Sequence, residues 1–174
     1  MGADAKPGHD TGDDTGDDPA DAAALAAYAS DLADAMVAAI PAWIERLVVA
    51  RIRAQRGEVT AAEQSSAIQA GVGAGAAAEP ALRALLGTDI DRQTTTPLAV
   101  ARRQVTFATA ALAAAGVTPS PRDAFARRQA PEDTYDLTPA ALADIDPALA
   151  DPGLAWGAAK AHVHLARRRR QGLR

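Results

Sequence analysis

Repeatedly along this chain a short polar residue stands immediately before a proline, as in Asp18-Pro19, Thr96-Pro97, Ser120-Pro121, Thr138-Pro139 and Asp146-Pro147. The first residue of each pair can cap a helix through its side-chain oxygen. Proline loses little at the first helical position, because the N–H it lacks would have no intrahelical partner there. Such punctuation starts helices, and no stretch shows the β-branched alternation of a half-buried strand. The expected fold is all-α: a compact helical bundle of about four main helices plus short helical turns.

The apolar spacing places the helices. Leu25, Tyr28, Leu32, Met36, Ile40, Trp43 and Leu47 recur at intervals of three and four, one face of a helix from Pro19 to about Arg56, with Gly57 ending it. Pro41 lies inside and should kink it. Thr60-x-x-Glu63 reads as a capping box, and its helix runs through Gly71, Gly73 and Gly75, each costing roughly 0.5–1 kcal/mol against alanine. Close backbone packing is the expected compensation. Pro80 should kink or restart that helix, and residues 87–95 form a polar connection. The helix after Thr96-Pro97 carries two apolar stripes, Leu98/Ala101/Val105/Ala108/Leu112/Ala115 and Val100/Phe107/Ala111, with Arg102 and Arg103 outward. A helix apolar on two sides is central in its bundle or sits at an oligomer interface. Ser120-Pro121 should open a short helix through Phe125, Thr138-Pro139 another through Leu142, and Asp146-Pro147 a single turn. The last helix should run from about Gly153 to Arg167–Arg170.

Apolar residues make up 48% of the 174-residue chain, but aromatic residues only 3%, so alanine supplies most of the core and helices must approach closely to gain contact energy. There is no cysteine, which removes disulfides, thiolate zinc sites and cysteine nucleophiles. No apolar run approaches a membrane span and no secretory leader is evident, so cytoplasm is the expected compartment. Residues 1–21 hold seven aspartates and a single lysine. Residues 1–18, rich in Gly, Asp and Thr, are expected to form a disordered acidic arm. Residues 19–166 would form the helical domain and 167–174 a basic tail.

The segments DRQTTTP (91–97), AAGV (114–117) and PEDTYDLTPAALADIDPALADPGLAWGAAKAHVH (131–164) resemble an uncharacterised family of small helical actinobacterial proteins. The most specific part is DxYDLTPA…DIDP…WGAAKA. The resemblance covers about the C-terminal half. It implies a shared fold and a shared surface, and no catalytic residue.

Three constellations could carry function. Asp133, Tyr135 and Asp136, beside Glu132, form a carboxylate cluster that could bind a cation or do acid–base work, or simply cap the next helix. Trp156, Lys160 and His164 share one helix face. Trp156 would seat the last helix, or Trp156 and Lys160 would line an anion pocket. Lys160 stands out because the chain has only one other lysine, Lys6. Arg167, Arg168, Arg169, Arg170 and Arg174 form a basic tail that could grip phosphates or complement the helix dipole. His162 and His164 are two apart on a helix and point away from each other, so no metal site and no cofactor are expected. The Gly71–Gly75 repeat lacks the strand and Lys-Ser/Thr of a phosphate loop. No Ser/His/Asp spacing supports a triad.

These residues point to a non-catalytic helical interaction module, possibly homodimeric, with a protein partner and no membrane. Weak nucleic-acid or acidic-partner binding through the arginine tail is the alternative. An enzyme of unknown class would require the 133–136 cluster and the Trp156 face to meet in one pocket.

Overall fold

The computed structural model describes residues 19–117 and 137–172. It is all-α, with no strand among the described residues. Helix α1 spans Pro19–Arg56, α2 Ala61–Leu86 and α3 Pro97–Ala114. A four-residue α4, Leu142–Ile145, precedes α5, Ala150–Arg170. Single 3-10 turns at Ile90–Arg92 and Pro147–Leu149 complete the connections. The acidic arm 1–18, the Ser120-Pro121 helix, Asp133, Tyr135, Asp136 and Arg174 lie outside the described residues.

The caps form as their chemistry dictates. Thr60 accepts from the Glu63 N–H at 3.2 Å while the Glu63 carboxylate accepts from the Thr60 N–H at 2.9 Å, closing the capping box. That arrangement, with Arg56 2.6 Å from Glu63, holds the Glu63 carboxyl below its ordinary value. Thr96 accepts from the Ala99 N–H at 3.1 Å with Pro97 at the first helical position. Gly57 and Gly116 end α1 and α3 in the left-handed region, at φ 84° and 67°. Arg56 also donates to the Ala115 carbonyl, tying the end of α1 to the end of α3.

The glycine repeat of α2 is explained by two neighbours. A Cβ on Gly71 would stand 3.1 Å from the Pro41 carbonyl carbon, and one on Gly75 2.8 Å from Pro41 Cγ. Gly73 points the other way, where a Cβ would meet Phe107 Cε1 at 2.9 Å. Glycine therefore lets α2 approach α1 and α3 closely enough for Ala67, Ala74 and Ala78 to be fully buried. The core is completed by Leu32, Met36, Ile40, Ile44 and Ile52 of α1, Leu82 of α2, and Ile145 and Leu149.

Several sequence expectations need correction. The buried stripe of α1 begins at Ala29 and drifts to Ile44, Val48 and Ile52, so Tyr28 is exposed and Leu25 and Leu47 only half-buried. α2 passes through Pro80 without restarting: Pro80 and Ala76 are both exposed, and the carbonyl that Pro80 leaves without a donor can turn to water. α4 begins at Leu142 rather than Thr138. Leu137 and Pro139 are buried in a turn and bend that precede it, and the Asp144 carboxylate accepts from the Ala140 and Ala141 N–H groups, both at 2.8 Å. Arg102 is half-buried, not outward, and donates to the Pro139 carbonyl at 3.1 Å. α5 starts at Ala150 because Pro152 falls in its first turn, where its missing N–H costs nothing.

Both stripes of α3 are covered within the chain. Ala101, Val105, Ala108 and Leu112 are buried, and so are Val100 and Ala111, with α3 packed on α1 and α2. Gln104 lies among them and donates to the Val100 carbonyl at 3.1 Å. α3 thus packs both stripes on α1 and α2 and leaves Arg103, Thr106, Ala110 and Ala113 exposed on its other side.

Candidate functional site

α5 lies against α1 and the 87–93 connection through one side only. Trp156, Lys160, Val163 and Arg167 recur at intervals of four, three and four, the spacing that puts four side chains on one helical face. Val163 is the single buried residue of α5.

The connection that receives this face is held by its own side chains. The Thr88 hydroxyl donates to the Ala84 carbonyl at 2.6 Å, and Asp89 accepts from the Asp91 N–H at 3.0 Å, capping the 3-10 turn. Gln93 Nε2 donates to the carbonyls of Leu85 and Thr88, both at 3.2 Å. With its amide group so fixed, Gln93 Oε1 accepts from Lys160 Nζ at 2.7 Å. The same ammonium lies 5.1 Å from the centroid of the Trp156 ring, within cation–π range. One and two turns on, His164 Nδ1 is 3.4 Å from Asp91, and Arg167 forks onto Asp89 at 3.0 and 3.1 Å and onto Asp91 at 2.7 Å. The Arg167 hydrogen bonds, then the Asp91 backbone N–H, hold the Asp89 carboxyl below its ordinary value.

Between α1, the connection and α5 runs a cleft of about 410 Å³. Leu25, Ala29, Leu86, Ile90, Trp156 and Val163 give it an apolar floor, and Ser30, Thr88 and Gln93 a polar margin. Arg83 reaches its edge, 3.1 Å from Asp34 and 3.0 Å from Glu79.

The structure brings Trp156 and Lys160 together as the sequence suggested and places His164 at the flank of that face. Arg167 turns inward and belongs to the clasp rather than to an outward basic surface. His162 and His164 diverge, toward Asp21 at 3.7 Å and Asp91 at 3.4 Å. The helix continues past them to Arg170. No group of three or more potential metal ligands occurs among the described residues. Sequence reasoning missed Asp89, Asp91 and Gln93 as partners of α5: they read as a polar connection, Asp91 and Gln93 also within the DRQTTTP segment. The unusual lysine at 160 was the signal that something awaited it. Chemically the cluster is a fastening: each cation meets a fixed acceptor, and an ionised Asp89 has no proton to deliver near neutral pH.

Comparison with protein-family models, with curated proteins and with solved structures finds no match to this chain. No described helix is long and apolar enough to cross a membrane.

Proposed function

We propose that this chain is a non-catalytic helical interaction module that engages a protein partner through the outer face of α5. One observation carries the reading. α5 is fastened inward by the Trp156/Lys160/Val163/Arg167 face, yet it keeps Leu154 72% and Leu165 51% exposed on its other side. Ala158 and Ala161, also exposed, join the two leucines along that side, and a contiguous exposed apolar patch marks an interaction surface. The clasp supports this reading, since its groups are engaged with one another rather than poised for chemistry. Arg167, drawn onto Asp89 and Asp91, weakens the case for a tail that grips phosphate.

The test is affinity capture from cells of the source organism, comparing wild type with Leu154→Glu/Leu165→Glu and with Ile68→Glu/Val72→Glu. The latter pair lies on the exposed side of α2, where Ile68 is 46% and Val72 62% exposed. The reading expects the α5 variant alone to lose the captured protein, including any second copy of the chain. A captured set unchanged by the α5 variant would overturn it.

A further inference from the structure

The fastening of α5 leaves the cleft between α1, the 87–93 connection and α5 open. It is open because α1 contributes mainly alanine to it: Ala22, Ala26, Ala29 and Ala33 are too short to fill the space that Trp156 and Val163 line from the other side. Its volume of about 410 Å³ falls in the ~300–1,000 Å³ range of small-molecule sites.

Three ionised side chains line the cleft, and each is already paired. Arg83 lies 3.1 Å from Asp34 and 3.0 Å from Glu79, while Arg167 is forked onto Asp89 at 3.0 and 3.1 Å. Lys160, which the sequence offered as an anion holder, is turned onto Gln93 instead. A charged ligand would give up water here and find no counter-charge unless one of these pairs broke. What the cleft does offer is hydroxyl groups. Thr88 donates to the Ala84 carbonyl and keeps its oxygen as an acceptor, and Ser30, exposed at the mouth, carries a hydroxyl that both donates and accepts.

We propose that this cleft binds a small uncharged molecule with an apolar body and one hydroxyl or carbonyl group. The body packs among the α1 alanines and the Trp156 ring, and the polar group reaches Ser30 or Thr88. Such a ligand touches α1, the connection and α5 at once, so its binding also steadies the seat of α5. The site lies on the inner side of α5, away from Leu154 and Leu165, and stands apart from the proposed partner surface.

The test is an NMR titration of the full chain, read at the indole N–H signals of its two tryptophans. Trp156 lines the cleft, and Trp43, buried in the core, is the internal reference. The probes are benzyl alcohol, benzoate and benzylamine, which share a ring and differ in charge. Benzyl alcohol is expected to shift the Trp156 signal saturably, with a Kd on the order of 1 mM, as so small a ligand can reach. Benzoate and benzylamine are expected to bind at least about 10-fold more weakly. Ser30→Ala should weaken benzyl alcohol about 2- to 10-fold through the lost hydrogen bond. Ala26 is exposed at the mouth, so Ala26→Leu keeps a good helix former and fills the cleft; it should weaken benzyl alcohol at least about 10-fold with the Trp43 signal in place. A Trp156 signal that does not saturate, benzoate or benzylamine binding as tightly as benzyl alcohol to wild type, or unchanged binding by Ala26→Leu would each overturn the proposal. The comparison of the three probes on wild type decides even if a variant does not fold.

Discussion

Gly71 of α2 lies directly against the backbone of Pro41 in α1: a Cβ there would stand 3.1 Å from the Pro41 carbonyl carbon and 3.3 Å from its Cα. Backbone cannot step aside as a side chain can. Gly71→Ala is expected to push α1 and α2 apart and to cost about 1–3 kcal/mol, as overpacking does. The opposite sign is expected at Gly157 of α5, where a Cβ meets nothing within 4 Å. There alanine should stabilise by roughly 0.5–1 kcal/mol through helix propensity alone. Urea melts of the two variants at dilute protein concentration decide both. Equal effects would mean that helix propensity, and not the Pro41 contact, governs the glycine repeat.

Gly73 forms an intermediate case. Its added Cβ would meet Phe107 Cε1 at 2.9 Å, the end of a half-buried ring that can rotate. Gly73→Ala should therefore destabilise less than Gly71→Ala, and Phe107→Leu should relieve it. A Gly73→Ala cost that Phe107→Leu leaves unchanged would contradict this account of the contact.

Trp156 is half-buried, carries the Lys160 ammonium over its ring and packs against the core. Trp156→Ala should cost about 1–3 kcal/mol, below the ~3–5 kcal/mol of a fully buried tryptophan. Chemical denaturation of both proteins measures this. A loss under about 0.5 kcal/mol would mean that the ring does not seat α5.

Asp89 makes the fastening of α5 dependent on pH. Its carboxyl is held below its ordinary value of 3.8, chiefly by Arg167, so the folded state favours the ionised form. That stabilisation is complete above the unfolded value and is lost as pH falls through the lower folded one. Wild type should lose stability below about pH 4, and Asp89→Asn should lose less over the same range. At neutral pH the variant should cost only ~0.5–1 kcal/mol, because the Asp89 side chain is 45% exposed and solvent screens the pair. Acid titrations followed by circular dichroism test the slope. Parallel acid curves would show that other carboxylates carry the loss.

The helices were legible in the sequence because capping is local chemistry: Thr60 with Glu63, Thr96 with Pro97, Gly57 and Gly116 each act within one turn of chain. The buried side of α1 was legible only from Leu32 through Trp43. Spacing alone does not say where a 38-residue helix outruns its neighbours. The glycine repeat announced close packing but not its partners, since Pro41 lies thirty residues upstream of Gly71 and Phe107 on another helix. At the site, Trp156 and Lys160 could be put on one face from spacing. Gln93, Asp89 and Asp91 could not be assigned to them, because that contact depends on how α5 folds back across the molecule.

The most direct measurement of the α5 surface uses the absence of cysteine from the chain. Leu154→Cys carries a photo-crosslinker on the outer face of α5, and Val72→Cys carries the same group on the exposed side of α2. The proposed function predicts a crosslinked partner from position 154 and none from position 72. Crosslinks from position 72 alone, or from neither, would contradict it.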